Sequence, residues 1–326
     1  MTKAHTPHPA FDARATDIVI LGGKSSFINF LLKHDGEPKQ QLTVQSGLSR
    51  VTSKIDPVIF DGQIERQSLH FLQLRKGQRV VIVDTPGLSD SDSDDEGQRI
   101  ALEIATWLRE TLKKTVFGGV IWVHDLSADR DNGAQARRNL AKLAGICPEV
   151  TAETVALLTT KWSLPESSQV FPARETQLKA SNWANLVGSG AHVIRLYPDS
   201  EKEGPSSAWR VIRHTLWRLD VRLGRQSLEE VLRLRADLEK NGKAIPEEAN
   251  ALVDALRGGL TLQKEVSALL ENAVDQGEAA EENIRGRAQK LQRLHETAIL
   301  NKSLFYAALV PALRRKRIAF NALVVQ

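Results

Sequence analysis

Cysteine occurs once in the 326 residues, at Cys147, and a single thiol excludes an internal disulfide framework. No apolar run near the amino terminus resembles a secretory signal, so a reducing, cytoplasmic setting is expected. Nor is there a run of about eighteen apolar residues, the length a membrane-spanning helix needs. A strong net charge is also lacking: 44 Lys and Arg stand against 40 Asp and Glu, a balance of +4, and no nucleic-acid partner is expected. Charge is clustered instead. Asp90 to Glu96 is nearly all acid or serine and reads as a solvated loop, whereas Arg314-Arg315-Lys316-Arg317 forms a basic cluster.

With 41% hydrophobic residues, the chain has material for one substantial domain plus an appendage. Residues 1–16 mix Pro, His, Thr and Ala without periodicity and read as a disordered leader. From 17 to 223, short apolar runs suited to buried parallel strands alternate with helical segments, the grammar of a doubly wound, mostly parallel α/β sheet that binds its ligand at the carboxyl ends of the strands. Residues 224–326 shift to Leu, Ala, Glu, Arg and Lys and read as a helical, partly coiled-coil region.

The most informative stretch is Arg79-Val80-Val81-Ile82-Val83-Asp84-Thr85-Pro86-Gly87. A buried strand that ends in D-x-x-G sets a carboxylate where it can hold a water on Mg²⁺. It also sets a glycine whose N–H can come close to a phosphate oxygen. Upstream, Asp17–Leu21 is an apolar strand followed by Gly22-Gly23-Lys24-Ser25-Ser26 and a helical run from Phe27 to Leu32. Strand, glycines, Lys-Ser and helix can cradle phosphate, with Lys24 on the β and γ oxygens and the Ser25 hydroxyl on Mg²⁺. The full G-x-x-x-x-G-K-[ST] spacing is not met, because its first glycine falls on Ile18, inside the strand. The loop is therefore short, and a plain strand-to-helix turn with a surface lysine is the alternative.

Residues 34–56 are polar and read as a mobile first switch, in which Thr52 is the candidate to close on Mg²⁺. A turn at Lys76-Gly77 is expected to join an edge strand to the Val80 strand as a hairpin. Leu88 stands where many GTPases carry a water-orienting glutamine, so strong intrinsic hydrolysis is not expected. Ile100, Ile104, Leu108 and Leu112 mark an amphipathic helix, and Gly118 to Asp125 a strand that leaves the sheet at His124. His124 either faces a nucleotide or makes a structural hydrogen bond. Cys147 shares a helix face with Ala136, Leu140 and Leu143 and reads as a small core residue. Val155 to Thr159 is a strand ending in Thr160-Lys161-Trp162-Ser163, where the lysine methylenes could cover a base. Ser163 lacks the carboxylate that would accept two hydrogen bonds from guanine.

Through GGKSSFIN, VVIVDTPGLSDSD, FGGVIWVHDLSADRDNGAQARRNL and LLTTKW, the chain resembles fungal G-domain proteins related to the AIG1/GIMAP and septin-like P-loop GTPases. The resemblance covers most of residues 17–223. It implies binding of GTP or GDP with Mg²⁺ and use as a conformational switch. The implied nucleotide site comprises Gly22, Gly23, Lys24, Ser25, Ser26, Thr52, Asp84, Gly87, Thr160 and Lys161, with Ser25, Thr52 and Asp84 toward the metal. The chain departs from the family at Ile18 and Ser163, which leaves two alternatives: a pseudo-GTPase acting as an interaction protein, and binding of a non-guanine nucleotide.

In the tail, seams at Leu252 to Ala273 and at Ile284, Ala288, Leu291, His295 and Ala298 are expected to be broken by Gly242, Pro246, Gly258-Gly259 and Gly277. A last helix is expected from Leu304 to Val325. Such helices hide one stripe by folding back, by self-association or on a protein partner. The basic end is either solvated or in peripheral contact with an anionic membrane.

Overall fold

A computed structural model describes residues 12–22, 25–34, 42, 54–62, 74, 77–86, 94–127, 132–162, 170–197, 204–242, 244–272 and 277–313. The strands are β1 (Ile18–Gly22), β2 (Asp56–Phe60), β3 (Val80–Asp84), β4 (Val116–Asp125), β5 (Val155–Thr160) and β6 (His192–Arg195). The helices are α1 (Ser25–His34), α2 (Asp94–Leu112), α3 (Asn132–Ile146), α4 (Phe171–Ala180), α5 (Ala184–Gly188), α6 (Gly204–Lys240), α7 (Glu247–Asn272) and α8 (Gly277–Leu313). The chain divides into two compact units: Met1–Gln67 with Lys76–Leu219, and Ser68–Arg75 with Asp220–Gln326. The passage from Leu219 to Asp220 falls inside α6, as does the expected boundary at Leu223.

The first unit is α/β, built on one sheet in the order β2-β3-β1-β4-β5-β6, parallel except for β2 at one edge. Such a sheet is compatible with Rossmann-like and P-loop α/β architectures. Central strands with both faces covered must be apolar throughout, and Val80 to Val83 and Ile18 to Leu21 are. Alternation sends Val19, Leu21, Val81 and Val83 into a core with Ile100, Ile104 and Leu108 of α2 and Leu140 and Leu143 of α3. Each side chain of this size, fully buried, contributes roughly 1.5–3 kcal/mol. On the other face Phe60 of β2 meets Trp209 of α6 edge to face, with ring centroids 5.5 Å apart.

The folded chain corrects two expectations. Phe60 pairs with Val80, so the edge strand joins β3 through residues 61–79 rather than by a tight turn at Lys76-Gly77. Helix α2 begins at Asp94, so the end of the acidic run is helical rather than loop, as suits acids in the first turn of a helix dipole. Within the expected leader, Asp12 and Arg14 are tied down: the Asp12 carbonyl accepts from Arg79 Nη2 at 2.7 Å, and Arg14 N–H donates to Asp17 Oδ2 at 2.8 Å.

The second unit is helical. Val231 and Leu238 of α6, Leu252, Val253 and Leu256 of α7, and Ala298 and Phe305 of α8 form its core. Gly242, with φ +64, turns the chain out of α6 as expected. Gly258 and Gly259, expected to break a helix, lie inside α7 instead. A Cβ on Gly258 would sit 3.3 Å from Leu294 Cδ1 of α8, so the missing side chain serves close packing. Helix α8 runs unbroken to Leu313, so the separate helix expected from Leu304 is its continuation; residues 314–326, with the basic cluster, lie outside the described residues. Asp220 is a fully buried carboxylate of this unit, accepting from Leu74 N–H at 3.2 Å and from Gln263 Nε2. Among the described residues no helix is long and apolar enough to cross a membrane.

Candidate functional site

Parallel strands bring the carboxyl ends of β1, β3, β4 and β5 to one edge of the sheet, and of the residues singled out by sequence, Gly22, Ser25, Asp84, Thr160 and Lys161 lie at or beside those ends. Strand β1 ends at Gly22, which has φ +86; a Cβ there would lie 2.4 Å from the Ile121 carbonyl oxygen of β4, so only glycine fits. Helix α1 starts at Ser25, leaving Gly23 and Lys24 between strand and helix. Ile18 to Leu21 are held by β3 on one side and β4 on the other, so no part of the strand is free to lengthen the loop.

Ser25 and Asp84, 59 residues apart in sequence, meet across the β1 and β3 ends: Ser25 Oγ–H donates to Asp84 Oδ2 at 2.6 Å. Asp84, the last residue of β3, is 3% exposed. A hydroxyl beside a carboxylate is the hard-oxygen pair that Mg²⁺ accepts. Ser26, in the first turn of α1, is exposed. Gly23, Lys24, Thr52, Gly87 and Ser163 lie outside the described residues.

Thr160 ends β5 and Lys161 follows it; β4 separates β5 from β1. Thr160 Oγ1–H donates to the His124 carbonyl at 3.2 Å. Lys161 has φ 75, the one non-glycine residue with positive φ among those described. The Trp162 ring packs with Leu126 and Phe171, and its Nε1–H donates to Thr159 Oγ1 at 3.1 Å. Thr159 Oγ1–H in turn donates to Glu175 Oε1 at 3.0 Å. Glu175, on α4, is buried, and burial alone would raise its pKa. Hydrogen bonds and charge from Arg195 and Lys179 prevail and hold the carboxyl below its ordinary range. Arg195 Nη2 lies 2.8 Å from Glu175 Oε2, and its guanidinium lies 4.2 Å from the Trp162 ring centroid.

Four other titratable groups of this unit are structural. The His124 ring is buried edge-on against Trp183, with centroids 5.1 Å apart, which takes it away from a nucleotide role. Cys147 is buried as expected; desolvation, then a hydrogen bond to Glu149, pushes its thiol up to about 12, so it does not act as a nucleophile. His192 of β6 and His214 of α6 meet edge to face with ring centroids 4.7 Å apart, and burial with the charge of Arg218 lowers them to about 3 and about 4.

Glu175, Arg195 and the histidine pair were not singled out by sequence reasoning, because charged residues on an amphipathic helix or a short edge strand read as surface. The one signal in the sequence was Trp162, a large ring placed in a turn. Among the described residues, no group of three or more His, Cys, Asp or Glu could hold a metal ion. The chain matches no protein-family model and no curated protein.

Proposed function

We propose that the α/β unit is a G domain with an abbreviated phosphate loop, which binds a guanine nucleotide with Mg²⁺ weakly and serves as a conformational switch with slow hydrolysis. The hydrogen bond from Ser25 to Asp84 carries this reading, because it joins the Lys-Ser and Asp-x-x-Gly motifs at one sheet edge. The strand order, with β2 antiparallel at the edge, supports it. In this reading Ser25 and Asp84 hold Mg²⁺, with Thr52 closing on it. The ion neutralises phosphate charge. Lys24 and the backbone at Gly23 hold the phosphates, Gly87 senses the terminal one, and Thr160 and Lys161 border the base.

A second reading, an interaction protein built on a degenerate G domain, is favoured by one observation: only Gly23 and Lys24 separate β1 from α1. Titration calorimetry of the full chain with GTP, GDP and ATP in Mg²⁺ separates the two. Weak binding that Asp84→Ala abolishes is the expected result. No binding of any nucleotide would leave the interaction reading, with self-association or a protein partner on the helical unit.

A further inference from the structure

We infer that Glu175 and Arg195 are positioning residues for the base-side turn: through Thr159 and Trp162 they fix the backbone of Thr160-Lys161-Trp162, and so set how much a nucleotide's base adds to the binding of its phosphates. The inference rests on the nucleotide-binding reading above.

Lys161 has a φ of 75, a conformation that side-chain-bearing residues rarely adopt. Such a residue persists only where its neighbours are pinned. Before it, the Thr160 hydroxyl is tied to the His124 carbonyl at 3.2 Å. After it, Trp162 is seated among Leu126, Phe171 and Tyr197. Its indole N–H enters a closed circuit: Trp162 donates to Thr159, Thr159 donates to Glu175, Glu175 accepts from Arg195, and the Arg195 guanidinium covers the Trp162 ring. The Glu175 side chain is 3% exposed, so its charge depends on Arg195 and Lys179 at 2.8 and 3.2 Å.

Neutralising Glu175 weakens every link. Arg195 loses its partner and its hold over the indole, Thr159 is left with a poorer acceptor, and the strained turn is freed to relax. Phosphate-side groups are spared by distance in the sheet, since β4 stands between β5 and β1, which leads to Ser25, and both β4 and β1 stand between β5 and β3, which ends in Asp84.

The test measures affinity of the full chain in Mg²⁺ for GTP, ATP and inorganic triphosphate, which has phosphates and no base. Glu175→Gln is expected to weaken GTP about tenfold, the worth of one charge-assisted hydrogen bond, and to leave triphosphate unchanged. Arg195→Lys, at a side chain 43% exposed, keeps the charge but loses the planar fork; a smaller loss in the same direction is expected, and this variant decides the matter if Glu175→Gln does not fold. If GTP and triphosphate affinities both hold, or fall together, in a variant that melts cooperatively, the circuit does not position the base turn, and nucleotide binding stands without it. The circuit is likewise ruled out of base positioning if the unaltered chain binds GTP no more tightly than triphosphate. If it binds none of the three, the nucleotide reading fails and this inference fails with it.

Discussion

Arg79 grips Asp17 with two hydrogen bonds, Nε to Oδ1 at 2.8 Å and Nη2 to Oδ2 at 2.7 Å, at the amino ends of β3 and β1. Both side chains are buried, and the hydrogen bond with its ion pair raises the Arg79 pKa further. Removing one partner leaves an uncompensated buried charge, so Arg79→Leu is expected to destabilise the α/β unit by about 3–5 kcal/mol. Urea unfolding measures this. The double variant Asp17→Leu with Arg79→Leu should recover much of the loss, because it buries no charge. Equal losses in the single and double variants would mean that the guanidinium's other bond, to the Asp12 carbonyl, matters more.

Acid should loosen the same unit through the His192 and His214 pair. Both rings titrate in the folded protein below their ordinary value of 6.5, at about 3 and about 4. The unfolded chain therefore takes up protons first as pH falls. Stability is complete above about pH 6.5 and declines toward pH 4, with a slope of up to about 1.4 kcal/mol per pH unit for each histidine. Thermal midpoints recorded from about pH 7.5 down to about pH 5 should fall, and His214→Leu should flatten the curve. A midpoint that does not move would place the rings in contact with water.

Gly22 and Gly62 separate two costs of adding a side chain. Both have positive φ, but among the described residues nothing lies within 4 Å of a Cβ at Gly62, whereas at Gly22 the Ile121 carbonyl oxygen would be 2.4 Å away. Gly62→Ala should cost about 1–2 kcal/mol, the backbone term alone. Gly22→Ala should cost more and disturb the Ser25 and Asp84 pair, since β1 must shift from β4. Denaturation midpoints of the two variants compare them directly.

In the helical unit, Gly258→Ala asks Leu294 to give by a few tenths of an ångström, while Gly258→Leu overpacks the α7 and α8 contact by about 1–3 kcal/mol. Leu291 is fully buried within its own chain, so Leu291→Lys should unfold this unit. Loss of helical circular dichroism at a lower temperature is the readout.

The central strands were legible because burial on both faces leaves an unbroken apolar run, as in Ile18 to Leu21 and Val80 to Val83. Strand β2 was not, since Asp56–Phe60 is an edge strand with a broken pattern and pairs across residues 61–79. Gly258 misled for a related reason: glycine signals a helix end by its backbone, but here it serves a neighbour that is distant in sequence. The Ser25 and Asp84 meeting was readable from motif order alone. Glu175 was not, because burial of a charge depends on a partner, Arg195, that only the folded sheet supplies.

The sheet ends on short strands. Strand β2 has five residues, beginning with an exposed Asp56 and then Pro57, and β6 has four, ending in the charged Arg195. A strand from another molecule adding to β2 would find no N–H at Pro57 and would have to settle beside the Asp56 carboxylate. At β6 it would meet a guanidinium already committed to Glu175. Both edges thus oppose the addition of a further strand, and the guanidinium at one of them also lies over Trp162, in the turn after β5.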